Sequence, residues 1–297
     1  MGNKIADLKT TVKGTLTDLR LHWNEPKKGN YMSFKEIVAY SGGGIGVKFI
    51  GLMAFNMILS STNGLIGNTI GIKPLDMYIL YVISVLVNIP LSGIRANIID
   101  NTRSKEGKYR PYIVKMGIPC AITTILFVWF PYQSFGSLFG EGYIFGEKRA
   151  YVVTCAVVLL MNFFQLFFYY FFMESYENLI NVLSPNTQER TDVATIRGVV
   201  YSLAPSVLNL AMPIMAQLIT NNNMYDIRLF RYIYPPISIA SIALCIVVYA
   251  NTKEKIVQAK THIIQIKFMD SLRQVIHNKY FWVIAMATWL GFLETAA

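Results

Sequence analysis

Six runs of mostly apolar residues, each close to the length of a membrane-crossing helix, constrain this chain more than any other feature. They fall at Ile37–Ser60, Met77–Ile99, Tyr112–Tyr132, Tyr151–Met173, Val199–Ile219 and Tyr232–Ala250, and a seventh starts near Tyr280 and runs into Ala297. About 20 apolar residues are needed to cross the hydrocarbon core as a helix. Composition agrees. Charged residues make up 15% of the 297-residue chain and hydrophobic ones 54%, with a mean hydropathy of +0.40, whereas soluble domains carry about 25% charged residues. The expected class is an all-α polytopic membrane protein with the lipid bilayer as its first partner.

Basic residues fix the expected orientation. Of the 27 Lys and Arg, seven precede Ile37, four fall in 100–111, two in 174–198 and six in 251–279. With six spans these segments share one side, which then holds 19 of the 27; the other side holds Lys73, Lys148, Arg149, Arg228 and Arg231. By the positive-inside bias the N-terminus is cytoplasmic. The first 36 residues contain no apolar signal-peptide core, so the first run is expected to be a true span. Ile5, Leu8, Val12, Leu16 and Leu19 recur every three to four residues among lysines, a pattern shared by a basic amphipathic helix on an anionic leaflet and by a solvated tail. Cys120, Cys155 and Cys245 each lie in an apolar run; an odd number so placed reads as small hydrophobes rather than a disulfide framework.

Charges inside spans are expensive and mark a pathway or an ion pair. Lys48 sits mid-span in the glycine-rich segment Ser41-Gly42-Gly43-Gly44-Ile45-Gly46-Val47-Lys48, and needs a carboxylate, an anionic substrate or a depressed pKa. Asn88, Ser92 and Arg95 share one face of the second span; Asn88 and Ser92 read as interior lining, and Arg95 as a side chain reaching the cytoplasmic interface. Glu174, Glu177 and Asn181 share a face at the end of the fourth span. Two carboxylates so close could hold a proton or cation, or pair with Lys48; facing the interior together, they would favour keeping one protonated. Arg197, at the entrance to the fifth span, is either a cavity residue or a positive-inside anchor.

The loop Asp100-Asn101-Thr102-Arg103-Ser104-Lys105-Glu106-Gly107-Lys108-Tyr109-Arg110-Pro111-Tyr112, followed by the block Ser184-Pro185-Asn186-Thr187-Gln188-Glu189-Arg190-Thr191 with Arg197 beyond it, resembles the glycoside–pentoside–hexuronide:cation symporters of the major facilitator superfamily. With the glycine-rich start of the first span, the likeness covers about 37–297. It implies a twelve-helix carrier of two six-helix halves moving a small-molecule sugar or sugar acid. The organisation expected here is a cytoplasmic basic segment over 1–36, an N-terminal six-helix bundle over 37–250, a cytoplasmic interdomain loop over 251–279, and the start of a seventh helix over 280–297, the second half lying on the same or another chain. The resemblance places a cytoplasmic gate at Asp100, Arg103, Gly107 and Arg110, and a substrate and cation pathway at Lys48, Asn88, Ser92, Glu174, Glu177 and Arg197.

Two departures bear on coupling. Where sodium-binding members carry two acidic residues on the second span, Asn88 and Ser92 stand here, and Lys48 replaces an acid of the first span. Neutral oxygens alone compensate poorly for the hydration a sodium ion gives up, so a proton is the expected coupling ion ahead of sodium, with uniport a further possibility. The extra cation points to an acidic substrate unless a glutamate neutralises it. The competing readings are a non-transporting receptor or scaffold that keeps the fold, and an inactive half-carrier. No span carries paired metal-ligand histidines, a Gly-x-Ser-x-Gly turn or a phosphate loop, so neither an enzyme nor an ATP-driven pump is expected; no cofactor beyond a coupling ion and no nucleic-acid partner are expected. The expected location is the plasma membrane.

Overall fold

Ser33 opens the first long helix with a reciprocal cap, its hydroxyl accepting from the Glu36 N–H while the Glu36 carboxylate accepts from the Ser33 N–H. This pairing satisfies two of the backbone donors that a helix start leaves unbonded. The computed structural model describes residues 14, 17–53, 70–224, 226–256, 268–284 and 286–287. Helix α1 spans Phe34–Gly51. Next comes α2, Pro74–Asp100, with proline at its first position, then α3, Arg110–Trp129, and the short α4, Tyr132–Ser137. A two-stranded hairpin follows, β1 (Tyr143–Ile144) pairing antiparallel with β2 (Glu147–Lys148). It leads into α5 (Arg149–Leu183), α6 (Thr187–Thr220), α7 (Ile227–Asn251) and α8 (Phe268–His277).

Helices α2, α3, α5, α6 and α7 are each long and apolar enough to cross a membrane. The first expected span runs past the described residues after Met53. The seventh does so after residue 287, with 279–284 and 286–287 helical. Of the N-terminal amphipathic pattern, only Leu19 is among the described residues; it lies in a helical turn over 17–21. The molecule is an all-α, multi-pass membrane protein.

Two helices correct the boundaries read from hydropathy. The 35 residues of α5 and the 34 of α6 measure about 50 Å each at 1.5 Å per residue, well beyond a hydrocarbon core of about 30 Å. Both exceed their apolar runs at the end where they meet, at Ser184–Asn186. Apolarity reports how much of a helix lies in lipid, whereas its length follows from caps, here Asn186, whose side chain accepts from the Gln188 N–H at 3.0 Å. Glu174, Glu177 and Arg197 therefore stand inside helices rather than at their ends.

Helices α1 and α7 pack closely, and α3 lies against both α5 and α7. Glycine permits the first contact: a Cβ on Gly46 would stand 2.7 Å from the Ser241 carbonyl oxygen, and one on Gly43 would collide with Val248. Helix α6 leans on α1, and α2 packs on α5. One apolar core gathers Tyr40, Val47, Ile113, Phe172, Tyr176 and Val248 towards the end bearing the Asp100–Pro111 loop; a second, with Met53, Phe127, Tyr132 and Phe230, lies towards the other end.

Candidate substrate pathway and its gate

Helix α5 carries both glutamates, and two different helices bring each an arginine. Arg95 of α2 reaches Glu174 with Nη2 at 3.2 Å from Oε1, and donates through Nη1 to the Asn88 Oδ1 at 3.0 Å. Its guanidinium carbon lies 5.2 Å from the centre of the Tyr170 ring. Arg95 is only 2% exposed, so it does not snorkel to the interface as its position in the sequence suggested. Guanidinium is weakly hydrated and stacks well on aromatic faces, which suits it to this setting. Ser92, on the same helix between Asn88 and Arg95, is exposed at the surface of the bundle.

One turn along α5, Glu177 meets Arg197 of α6, Nη1 to Oε2 at 2.7 Å. Arg197 also donates to the Tyr40 hydroxyl at 3.0 Å. Three tyrosines surround its guanidinium: Tyr40 of α1, Tyr176 of α5 and Tyr201 of α6, with ring centres 5.5 to 6.0 Å away. Tyr40 and Tyr176 stack at 4.9 Å and each donates its hydroxyl to the other's backbone carbonyl. Gly44 makes room for this column, since a Cβ there would overlap the Tyr176 hydroxyl.

Lys48 completes the cluster differently. Its ammonium lies 5.4 Å from the centre of the Tyr201 ring, and no carboxylate is within ion-pair distance of it among the described residues. The possible partners from sequence, Glu174 and Glu177, are both taken by arginines. Each carboxylate thus faces its own guanidinium instead of the other carboxylate. Two carboxylates and three cations leave the region with one excess positive charge, and Lys48 is where it resides. Among the described residues no group of three His, Cys, Asp or Glu side chains could hold a metal ion.

At the loop-bearing end the expected gate residues come together, but with partners the sequence did not reveal. Asp100 pairs with Lys108, Nζ to Oδ1 at 2.6 Å, rather than with an arginine. Burial works against the Lys108 ammonium, yet its bond to Asp100 holds its pKa above the ordinary lysine value. Arg103 donates to the backbone carbonyls of Asp100 and Thr102, closing its own turn. Arg110 donates from Nε to the Tyr249 carbonyl at 2.6 Å and lies 4.5 Å from that ring, fastening α3 to α7.

The residue that organises this end is Glu254, just beyond α7. Its carboxylate accepts the backbone N–H groups of Lys108, Tyr109 and Arg110 at 2.7, 2.7 and 2.8 Å. Those are orphan donors at the start of α3, where the helix dipole also favours negative charge. Gly107 permits the approach: it has φ +111, and a Cβ there would stand 2.3 Å from the Glu254 carboxyl carbon. Glu189 plays a matching part, accepting the N–H groups of Tyr31 and Met32 ahead of α1, while Lys255 pairs with Glu36 at 2.6 Å. A cavity of about 180 Å³ remains beside the loop, lined by Arg103, Lys105, Lys108, Val182 and Glu254 among others. Local patterning could not have singled out Glu254 or Glu189, because their partners lie 144 to 158 residues away.

Compared with known proteins, residues 39–297 match the family described as MFS/sugar transport protein. No curated protein matches the chain.

Proposed function

The chain belongs to the MFS/sugar transport protein family, and from that premise we propose that it is a carrier of the glycoside–pentoside–hexuronide:cation symporter type that moves a sugar acid by alternating access, coupled to protons. In this reading residues 37–250 form one six-helix half, 251–279 a cytoplasmic connection, and 280 onward the start of a second half. The chain sits in the plasma membrane with its N-terminus in the cytoplasm. The pathway runs past Lys48, Asn88, Ser92, Glu174, Glu177 and Arg197, and Asp100, Arg103, Gly107 and Arg110 close its cytoplasmic end with Glu254.

The observation that carries the reading is Lys48: an ammonium on α1 resting on an aromatic face beside two carboxylates already committed to guanidinium groups. A substrate carboxylate supplies the missing charge, and the Tyr201 ring offers the flat apolar surface against which a pyranose face stacks. Arg95 argues against sodium, since its guanidinium occupies the Asn88 oxygen and repels a cation at that position. A proton has a direct route to coupling. Taken up by Glu177, it cancels that group's hold on Arg197, and the freed guanidinium becomes a second donor to the substrate carboxylate. Proton and anionic sugar then bind with positive linkage, as symport requires.

The test is uptake of a labelled uronide and a labelled neutral glycoside into proteoliposomes. The Lys48→Met variant is expected to lose uronide uptake while remaining folded in the membrane. Unchanged uptake by Lys48→Met removes Lys48 from the site, and a wild type that takes up neither sugar favours a receptor or scaffold.

A further inference from the structure

The hairpin between α4 and α5 displays apolar side chains that the fold does nothing to cover. Its two-residue turn is Phe145-Gly146, with φ +52 at Phe145 and +80 at Gly146. Tight hairpins of this kind need a left-handed residue at both central positions, which favours asparagine followed by glycine. A phenylalanine at the first position is strained by its own Cβ. Phe145 is also 97% exposed, with Tyr143 in the adjoining strand at 74% and Leu138, just after α4, at 77%. Strain and exposure are both costs, and no packing among the described residues offsets either.

The base of the hairpin, by contrast, is fastened in place. Glu147 pairs with Lys73 at the N-cap of α2, the Lys73 N–H donates to the Tyr151 hydroxyl, and that hydroxyl donates to Asp76. Arg149 donates its backbone N–H to the Gly142 carbonyl at 2.8 Å and its guanidinium to the Phe139 carbonyl at 3.3 Å. Strand pairing sets Ile144 opposite Glu147, on the face tied to α2, and Tyr143 opposite Lys148 on the other. A rigid base thus presents an aromatic tip at the point where α2 and α5, both membrane spans, begin.

We propose that this hairpin is an interfacial anchor, with Phe145, Tyr143 and Leu138 seated at the headgroup–acyl boundary of the leaflet opposite the Asp100–Pro111 end. Lys148 and Arg149 then lie level with the lipid phosphates. Amphipathic aromatics favour that depth, and basic residues beside them add attraction to phosphate. The lipid is the occupant the positions favour, because the tip is continuous with spans already exposed to the bilayer: Leu75 and Tyr78, in the first turns of α2 above the Lys73 link, are largely exposed as well. The anchor fixes the depth of the α5 entrance while the rest of the bundle moves.

The experiment places a nitroxide at Phe145→Cys in phospholipid proteoliposomes, on a Cys155→Ala background in which the buried Cys120 and Cys245 escape labelling. Accessibility is compared between oxygen, which concentrates in lipid, and a water-soluble nickel chelate. The label at 145 is expected to favour oxygen several-fold more than one at Lys105→Cys, in the polar loop at the other end. A ratio equal to that reference places the tip in water and overturns the proposal. Protection from both agents overturns it too, by showing that protein covers the tip.

Discussion

Replacing Glu254 with alanine exposes how the loop-bearing end is held together. The substitution removes one acceptor shared by three backbone N–H groups at the start of α3. A charge-assisted hydrogen bond contributes about 1.5–3 kcal/mol in mutational series, and loss of a helix cap costs about 0.5–2 kcal/mol. Because water reaches a half-buried site once the carboxylate is gone, the expected loss is about 2–3 kcal/mol, a fall of roughly 5–10 °C in melting temperature for a unit of this size. Gly107→Ala attacks the same contact from the other side. Its Cβ expels the carboxylate, which loses the cap, and it also forces alanine to φ +111, adding about 1–2 kcal/mol of strain. In the double variant the clash has nothing to act on and only the strain remains. The two losses should therefore fall short of additivity by about 2–3 kcal/mol. Melting of the four proteins in detergent, followed by loss of monodisperse protein with temperature, measures this directly. Additivity to within about 0.5 kcal/mol would refute the placement of the carboxylate against Gly107.

Three further outcomes follow from the same geometry. Glu174→Gln leaves the buried Arg95 guanidinium without its counter-charge and should lower stability by about 3 kcal/mol, whereas Arg95→Met with Glu174→Leu should recover much of that loss in the same melting assay; equal losses would show that the unpaired guanidinium is not what the single substitution costs. Phe145→Gly relieves a left-handed backbone and should raise detergent stability by about 1 kcal/mol; a fall would mean that the phenylalanine packs within the protein. Asp226 caps α7, and its bonds to Arg228, through the backbone N–H at 2.8 Å and the guanidinium at 2.7 Å, hold its carboxyl below the ordinary range. Its folded pKa lies below the unfolded one, so its contribution is present above about pH 4 and disappears as pH falls through the folded value. Asp226→Asn should therefore flatten the acid limb of a stability–pH profile, and an unchanged limb would contradict the assignment.

Hydropathy made the membrane class and five of the long helices legible, because both follow from the energetics of lipid acting on each segment alone. The same logic failed at the α5–α6 junction: Glu174 and Arg197 looked like helix ends where apolarity stopped, although the helices continue on their caps. Pairing was not legible either. Lys48 was the partner the sequence offered for the two carboxylates, and only the packing of α2 and α6 on α5 assigned an arginine to each glutamate. Arg95 illustrates the error: five residues from the polar Asp100, it resembles a snorkelling side chain until α5 covers it. At the gate, Gly107 carried a hint of special backbone geometry, but the reason for it lay at Glu254, far along the chain. Tyr40, Tyr176 and Tyr201 were invisible as a unit because each stands in a different aromatic-rich helix.

The most direct measurement is uronide accumulation in proteoliposomes holding the protein, under an imposed inward proton gradient and, separately, an inward sodium gradient. We expect accumulation above equilibrium with the proton gradient, none with sodium alone, and loss of gradient-driven accumulation in Glu177→Gln with equilibrium exchange of the sugar retained. Accumulation driven by sodium alone, or proton-driven accumulation that survives Glu177→Gln, would contradict the account in which a proton at Glu177 releases Arg197 for the substrate.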